Sequence, residues 1–147
     1  MNLPATGRSR PGLRHGVMFR AGPQWVMTPV MLDHLQIAMP GGGESAARAF
    51  YGSLLGLPEV AKPAVLRDRG GLWFMLGGGI GFHLGVEADF RPAVKAHPAL
   101  RLTHFAETLV RLEAAGHEVK RDRDPFGRAR AYVADPFGNR LELIEEA

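Results

Sequence analysis

The chain has 147 residues, 46% hydrophobic and 22% charged, with a formal net charge of +3; this suits one compact domain and leaves no room for a second large one. It contains no cysteine, which excludes disulfides, thiolate zinc sites, iron–sulfur clusters and cysteine nucleophiles, so any chemistry must draw on His, Asp, Glu, Arg, Tyr or Ser. No apolar stretch approaches the roughly 20 residues of a membrane-spanning helix and none resembles a signal peptide, so a soluble cytoplasmic protein without a membrane partner is expected.

The charge excess has a location. Residues 1–30 hold Arg8, Arg10, Arg14 and Arg20 and no Asp or Glu, which leaves 14 of the 18 basic residues against all 15 acidic ones from residue 31 onward. The segment is rich in Gly, Pro and Arg and lacks helical or strand periodicity, so it reads as a poorly ordered extension ahead of a single domain over 31–147. Pro4, Pro11, Pro23 and Pro29 would break an amphipathic transit helix, and a chain start at Met27 or Met31 is the plain alternative. Four arginines without interleaved aromatics make a weak case for an RNA-binding arm, and no nucleic-acid partner is expected.

From Met31 the chain reads as one unit used twice, over 31–90 and 96–147. In the first copy LDHLQIAM (32–39) is a strand, GGG at 41–43 breaks the chain, and ESAARAFYGSLLG carries Ala46, Ala47, Phe50, Tyr51, Leu54 and Leu55 at helical spacing before Gly56 ends the helix. GLWFML (71–76), the glycines 77–79 and IGFHLGVE (80–87) then form a hairpin. In the second copy HPALRL (97–102) is the strand and FAETLVRLEAAG (105–116) the helix. ARAYVA (129–134) and NRLELIEE (139–146) close the unit across Asp135-Pro136-Phe137-Gly138, a turn favoured by side-chain capping, preset φ and tolerance of positive φ. The copies keep register: His34 and His97 stand 63 residues apart, Gly56 and Gly116 60, and both His83 and Glu142 and Trp73 and Tyr132 59.

Side chains alternate faces along a strand, so each strand divides into an apolar face for a helix and an opposite face. The opposite faces carry His34, Gln36, His83, His97, Arg101 and Glu142, and tight hairpins would set Trp73 beside His83 and Tyr132 beside Glu142. Imidazoles and a carboxylate are the ligands expected for a borderline divalent metal such as Zn, Ni, Mn, Fe or Co. Three or four of them leave coordination positions open for a substrate. Arg101 could hold a carboxylate or phosphate in bidentate geometry, or else form an ion pair with Glu87 or another acid. Trp73 and Tyr132 could line the site or simply pack the sheets, whereas His15, His104 and His117 fall where solvated or capping roles dominate.

AYVADPFGNRLELIEE resembles the closing hairpin of the vicinal oxygen chelate superfamily, which includes glyoxalase I, fosfomycin-resistance transferases, bleomycin-resistance proteins and extradiol dioxygenases. LDHLQIAM and AHPALRL ahead of a helix ending in AAG support the resemblance, which spans residues 31–146. It implies an α+β fold of two βαβββ modules whose curved sheets form a cup around one divalent metal, often completed across a homodimer. Carried over by position, the metal ligands are His34, His97 and Glu142, with His83 where glyoxalase I normally has Glu. That departure weakens the case for the glutathione–methylglyoxal reaction. The resemblance thus implies a metal-dependent lyase, isomerase or dioxygenase acting on a small oxygen-chelating substrate. Glu142 would be the proton-transferring group, with Tyr132 as a second participant, and Arg101, Gln36 and Trp73 would contact the substrate. The alternative is a metal-free protein of the bleomycin-resistance kind, in which the same cup only binds a small molecule.

Overall fold

A computed structural model describes residues 30–146, so the expected extension, apart from Val30, lies outside the described residues. The first module runs β1 (His34–Met39), α1 (Glu44–Ala47) continuing as a π-helix (Arg48–Leu54), β2 (Glu59–Val60), β3 (Leu72–Met75) and β4 (Gly81–Val86). The second runs β5 (Ala99–Leu102), α2 (Phe105–Ala114), β6 (Lys120–Arg123), β7 (Ala129–Ala134) and β8 (Arg140–Glu145). Each module is a four-stranded mixed sheet, ordered β1-β4-β3-β2 and β5-β8-β7-β6. The first and last strand of each module pair in parallel. The expected α+β fold of two βαβββ modules is what the chain adopts.

The repeat holds at the level of single pairs. Gln36 lies opposite His83 in one sheet and Ala99 opposite Glu142 in the other, while Trp73 faces His83 and Tyr132 faces Glu142. Alternation then decides which face is buried. Phe74, Phe82, Leu84, Leu141 and Leu143 are almost fully buried against the helical layer, and the site candidates occupy the opposite face. In α2 the buried Phe105, Leu109 and Leu112 recur at helical spacing. The helix ends in a Schellman cap, the His117 amide donating to the Leu112 carbonyl and the Gly116 amide to Glu113.

Two expectations are corrected. The segment 44–56 is not a uniform α-helix: from Arg48 it widens, with the Leu55 amide donating to the Phe50 carbonyl at 2.9 Å. A wider coil lessens the angle between consecutive side chains, which lets the neighbours Phe50 and Tyr51 both point into the core at 1% and 0% exposure. The strand expected from His97 starts at Ala99, since Pro98 has no N–H to donate; its carbonyl still accepts the Glu142 amide at 3.0 Å.

The modules are joined by polar groups as well as by core. The Tyr51 hydroxyl donates to Asp135 Oδ2 at 2.8 Å, and Asn139 Nδ2 donates both to that oxygen and to the Ala38 carbonyl, each at 2.9 Å. Asn139 Oδ1 accepts the Ala93 amide, and Arg111 donates to the Leu54 carbonyl. The sequence Asp-Pro-Phe-Gly occurs twice, at 124–127 between β6 and β7 and at 135–138 between β7 and β8. Both copies fold alike, the Asp Oδ1 accepting the amides two and four residues on. Phe137 packs with the core while Phe126 is 84% exposed.

Candidate metal centre

The first module presents His34 and Gln36 from β1, His83 from β4 and Trp73 from β3 on its open face. Asp33 Oδ1 stands 2.7 Å from His34 Nδ1, a carboxylate–imidazole contact of the kind that backs ligating histidines, with Nε2 as the remaining ring nitrogen. The His83 ring lies parallel to Trp73, with centroids 4.1 Å apart and a 7° angle, and stacks on His34 at 4.6 Å. Burial, and then repulsion from His34, push the His83 pKa below the ordinary histidine value, which favours the neutral, ligand-competent imidazole. Gly81 makes this arrangement possible: a Cβ there would sit 2.8 Å from His83 Nε2 and 3.0 Å from His34 Cβ.

The second module presents His97 and Glu142. His97 Nδ1 lies 2.8 Å from the Lys95 carbonyl and Nε2 lies 3.0 Å from Glu142 Oε2. With Nδ1–H donated to the carbonyl, Nε2 of the neutral ring is the lone-pair nitrogen and faces the carboxylate, two electron-rich groups that a cation between them would join. The other carboxylate oxygen accepts from Arg130 at 3.4 Å, and Arg130 also pairs with Asp122. Its Nε is buried without a partner. Tyr132 meets His97 edge-on at 5.8 Å, with the Arg140 guanidinium 4.0 Å and the Arg130 guanidinium 5.0 Å from its ring centre. Arg101 is exposed and makes no ion pair among the described residues, so the alternative of a pair with Glu87 does not form.

The four expected ligands thus stand in two pairs, His34 with His83 and His97 with Glu142. Among the described residues no three His, Asp or Glu side chains are placed to hold a metal ion. The donor set suits a divalent ion: imidazole and carboxylate groups backed by Asp33 and by the Lys95 carbonyl, as ligands are when an outer shell orients them. Sequence reasoning passed over Arg130, Arg140 and Lys120, although Arg130 shares the strand parity of Tyr132, and Arg140 that of Glu142. His104 caps α2 without a side-chain hydrogen bond, and His117 packs edge-on against Phe50 at 4.9 Å.

Among the described residues no helix is long and apolar enough to cross a membrane. None of the curated proteins compared with the chain matches it. A solved structure from Bacillus anthracis, assigned to the glyoxalase family, is 43% identical, covers 82% of this chain and 100% of its own, and superposes with a TM-score of 0.75. A glyoxalase/dioxygenase from Nostoc punctiforme is similar in fold at 19% identity, covering 86% and 99% of the two chains with a TM-score of 0.67. So is a lactoylglutathione lyase from Agrobacterium tumefaciens, at 23% identity, covering 80% and 94% with a TM-score of 0.61. Residues 41–144 match the family profile of the glyoxalase-like domain, and with the paired modules and their register this places the chain in the glyoxalase-like family of the vicinal oxygen chelate superfamily.

Proposed function

We propose that the chain is a divalent-metal-dependent enzyme acting on a small, oxygen-chelating, anionic substrate by lyase, isomerase or dioxygenase chemistry. The observation that carries this reading is the His97–Glu142 pair, a half-buried imidazole and carboxylate 3.0 Å apart. His34 and His83 would complete the ligand set. Since the two pairs form no single cluster among the described residues, a twofold homodimer would bring the first pair of one copy to the second pair of the other. A bound ion of Fe, Mn, Ni, Zn or Co would supply Lewis acidity to two substrate oxygens. Glu142, held at one oxygen by Arg130, would take and return the substrate proton, with Tyr132 beside it. Gln36, Trp73 and Arg101 would contact the substrate. The cysteine-free chain, read as one domain over 31–147 behind a short extension, suits a reducing cytoplasm.

The second reading, a metal-free small-molecule binder, is favoured by the flat stacking of His83 on Trp73, which uses the imidazole as part of an aromatic wall. Elemental analysis decides between them, on protein purified without a His-tag or chelator, comparing the wild type with the His34→Ala/Glu142→Ala double variant. Near-stoichiometric metal lost in the variant supports the enzyme; no metal in either supports the binder.

A further inference from the structure

The β7–β8 hairpin carries a cation for which the described residues supply no anion. Arg140 opens β8, lies opposite Ala134 and shares a face with Glu142. Its guanidinium rests over the Tyr132 ring, 4.0 Å from the centroid, and the residue is half-buried. The neighbouring carboxylates are engaged elsewhere. Glu118 pairs with Lys120 at 3.5 Å, Glu142 with His97 and Arg130, and Asp135 accepts from Tyr51, Asn139 and its own turn amides. Arg140, Tyr132, Lys120 and His117 line a cavity of about 710 Å³, together with the engaged carboxylates Glu118 and Asp135.

Stacking on an aromatic ring fixes the guanidinium plane and leaves its N–H edge for a planar two-oxygen acceptor. Half-burial strengthens such a contact relative to one in open water. Arg140 and Glu142 are two residues apart on one face of a strand, which spaces them by roughly 7 Å. A small organic acid anchored at Arg140 would be long enough to reach from the cavity past Tyr132 to the His97–Glu142 pair. Arg101, the arginine that the sequence favoured for this task, lies on β5 opposite Ile144; like His97 and Glu142 it does not line the cavity, which meets that pair through Tyr132, the strand partner of Glu142.

We infer that Arg140 is the anion-binding residue of the substrate site, taking the terminal carboxylate or phosphate of a small organic acid that fills the cavity beside Tyr132. The inference deepens the proposed metal-dependent reading and rests on it only for what the far end of the substrate does. The test is calorimetric titration of malonate and, separately, inorganic phosphate into the full chain at low ionic strength, with the wild type, Arg140→Gln and Arg140→Lys. The expected result is saturable binding to the wild type, at least tenfold weaker in Arg140→Gln and intermediate in Arg140→Lys, which keeps the charge without the fork. A preference for one probe tells a carboxylate site from a phosphate site. Arg140→Gln binding as the wild type does, or no saturable binding of either anion, overturns the inference; if Arg140→Gln fails to fold, unweakened binding by Arg140→Lys does so. Metal content measured on the same samples separates the two readings. Anion binding lost in Arg140→Gln with no metal in any sample keeps this site and removes the metal.

Discussion

Replacing Tyr51 by Phe removes one hydroxyl and tests how the modules are held together. Tyr51 is 0% and Asp135 4% exposed, and the Asp135 carboxylate has four donors: the Tyr51 hydroxyl, the Phe137 and Asn139 amides and the Asn139 side-chain amide. Burial, and then the charge of Asp135, drive the Tyr51 pKa far above its ordinary value, so the hydroxyl is a donor at every working pH. Phe fills the same ring space, and the loss is that of one hydrogen bond to a buried charged group, about 1.5–3 kcal/mol. For a domain of this size that corresponds to a fall in Tm of roughly 6–12 °C. Urea denaturation should show a lower midpoint with an unchanged slope, and a double-mutant cycle with Asp135→Asn should return a coupling above about 1 kcal/mol. A Tyr51→Phe effect under about 0.5 kcal/mol would show that the clamp does not hold the modules.

Gly81→Ala should displace His83 and His34 through the short Cβ approaches; if these are ligands, elemental analysis should show metal occupancy falling at least tenfold while the circular dichroism spectrum is kept. Arg130→Met should cost under about 1 kcal/mol in urea, since Asp122, its firmest partner, is exposed; if Glu142 is a metal ligand, the freed oxygen should also weaken metal binding by about 10–100-fold, as metal titration would measure. Glu44 accepts the Gly71 amide at 2.9 Å, and that bond holds its pKa below the ordinary 4.5. Its contribution to stability is therefore complete above pH 4.5 and is lost as the pH falls through the lowered value. The stability gap between the wild type and Glu44→Gln should close over that window, and a constant gap would refute the assignment.

Strand parity and the repeat made much of this molecule legible. The pairings of His83 with Trp73 and of Glu142 with Tyr132 follow from hairpin closure alone, because alternating faces leave a single register for a half-buried sheet. β2 and β6 were harder to see. Glu59–Val60 is too short for a periodic signal, and Lys120–Arg123 is a wholly exposed edge strand whose charges hide it from any hydrophobic pattern. The π-helical turn depends on tertiary burial of Phe50 and Tyr51 rather than on local preference. That the ligand candidates stand in two separate pairs depends on how the modules dock, and the contacts responsible, Tyr51 to Asp135 and Asn139 to Ala38, join residues 84 and 101 positions apart.

The two identical Asp-Pro-Phe-Gly turns bear on the order in which the chain acquires its structure. Each closes within four residues and carries its own hydrogen bonds, so the β6–β7–β8 meander can form with little loop entropy lost. The parallel pairing of Ala99 with Glu142 has to close 43 residues, and that of His34 with Gly81 has to close 47, which makes both slow steps. Every strand pairing that brings candidate ligands together, β1 onto β4 and β5 onto β8, belongs to this slow class. In pulsed hydrogen exchange during refolding, the amides of β7 should gain protection before those of β5, and the binding face would be the last surface of the domain to exist.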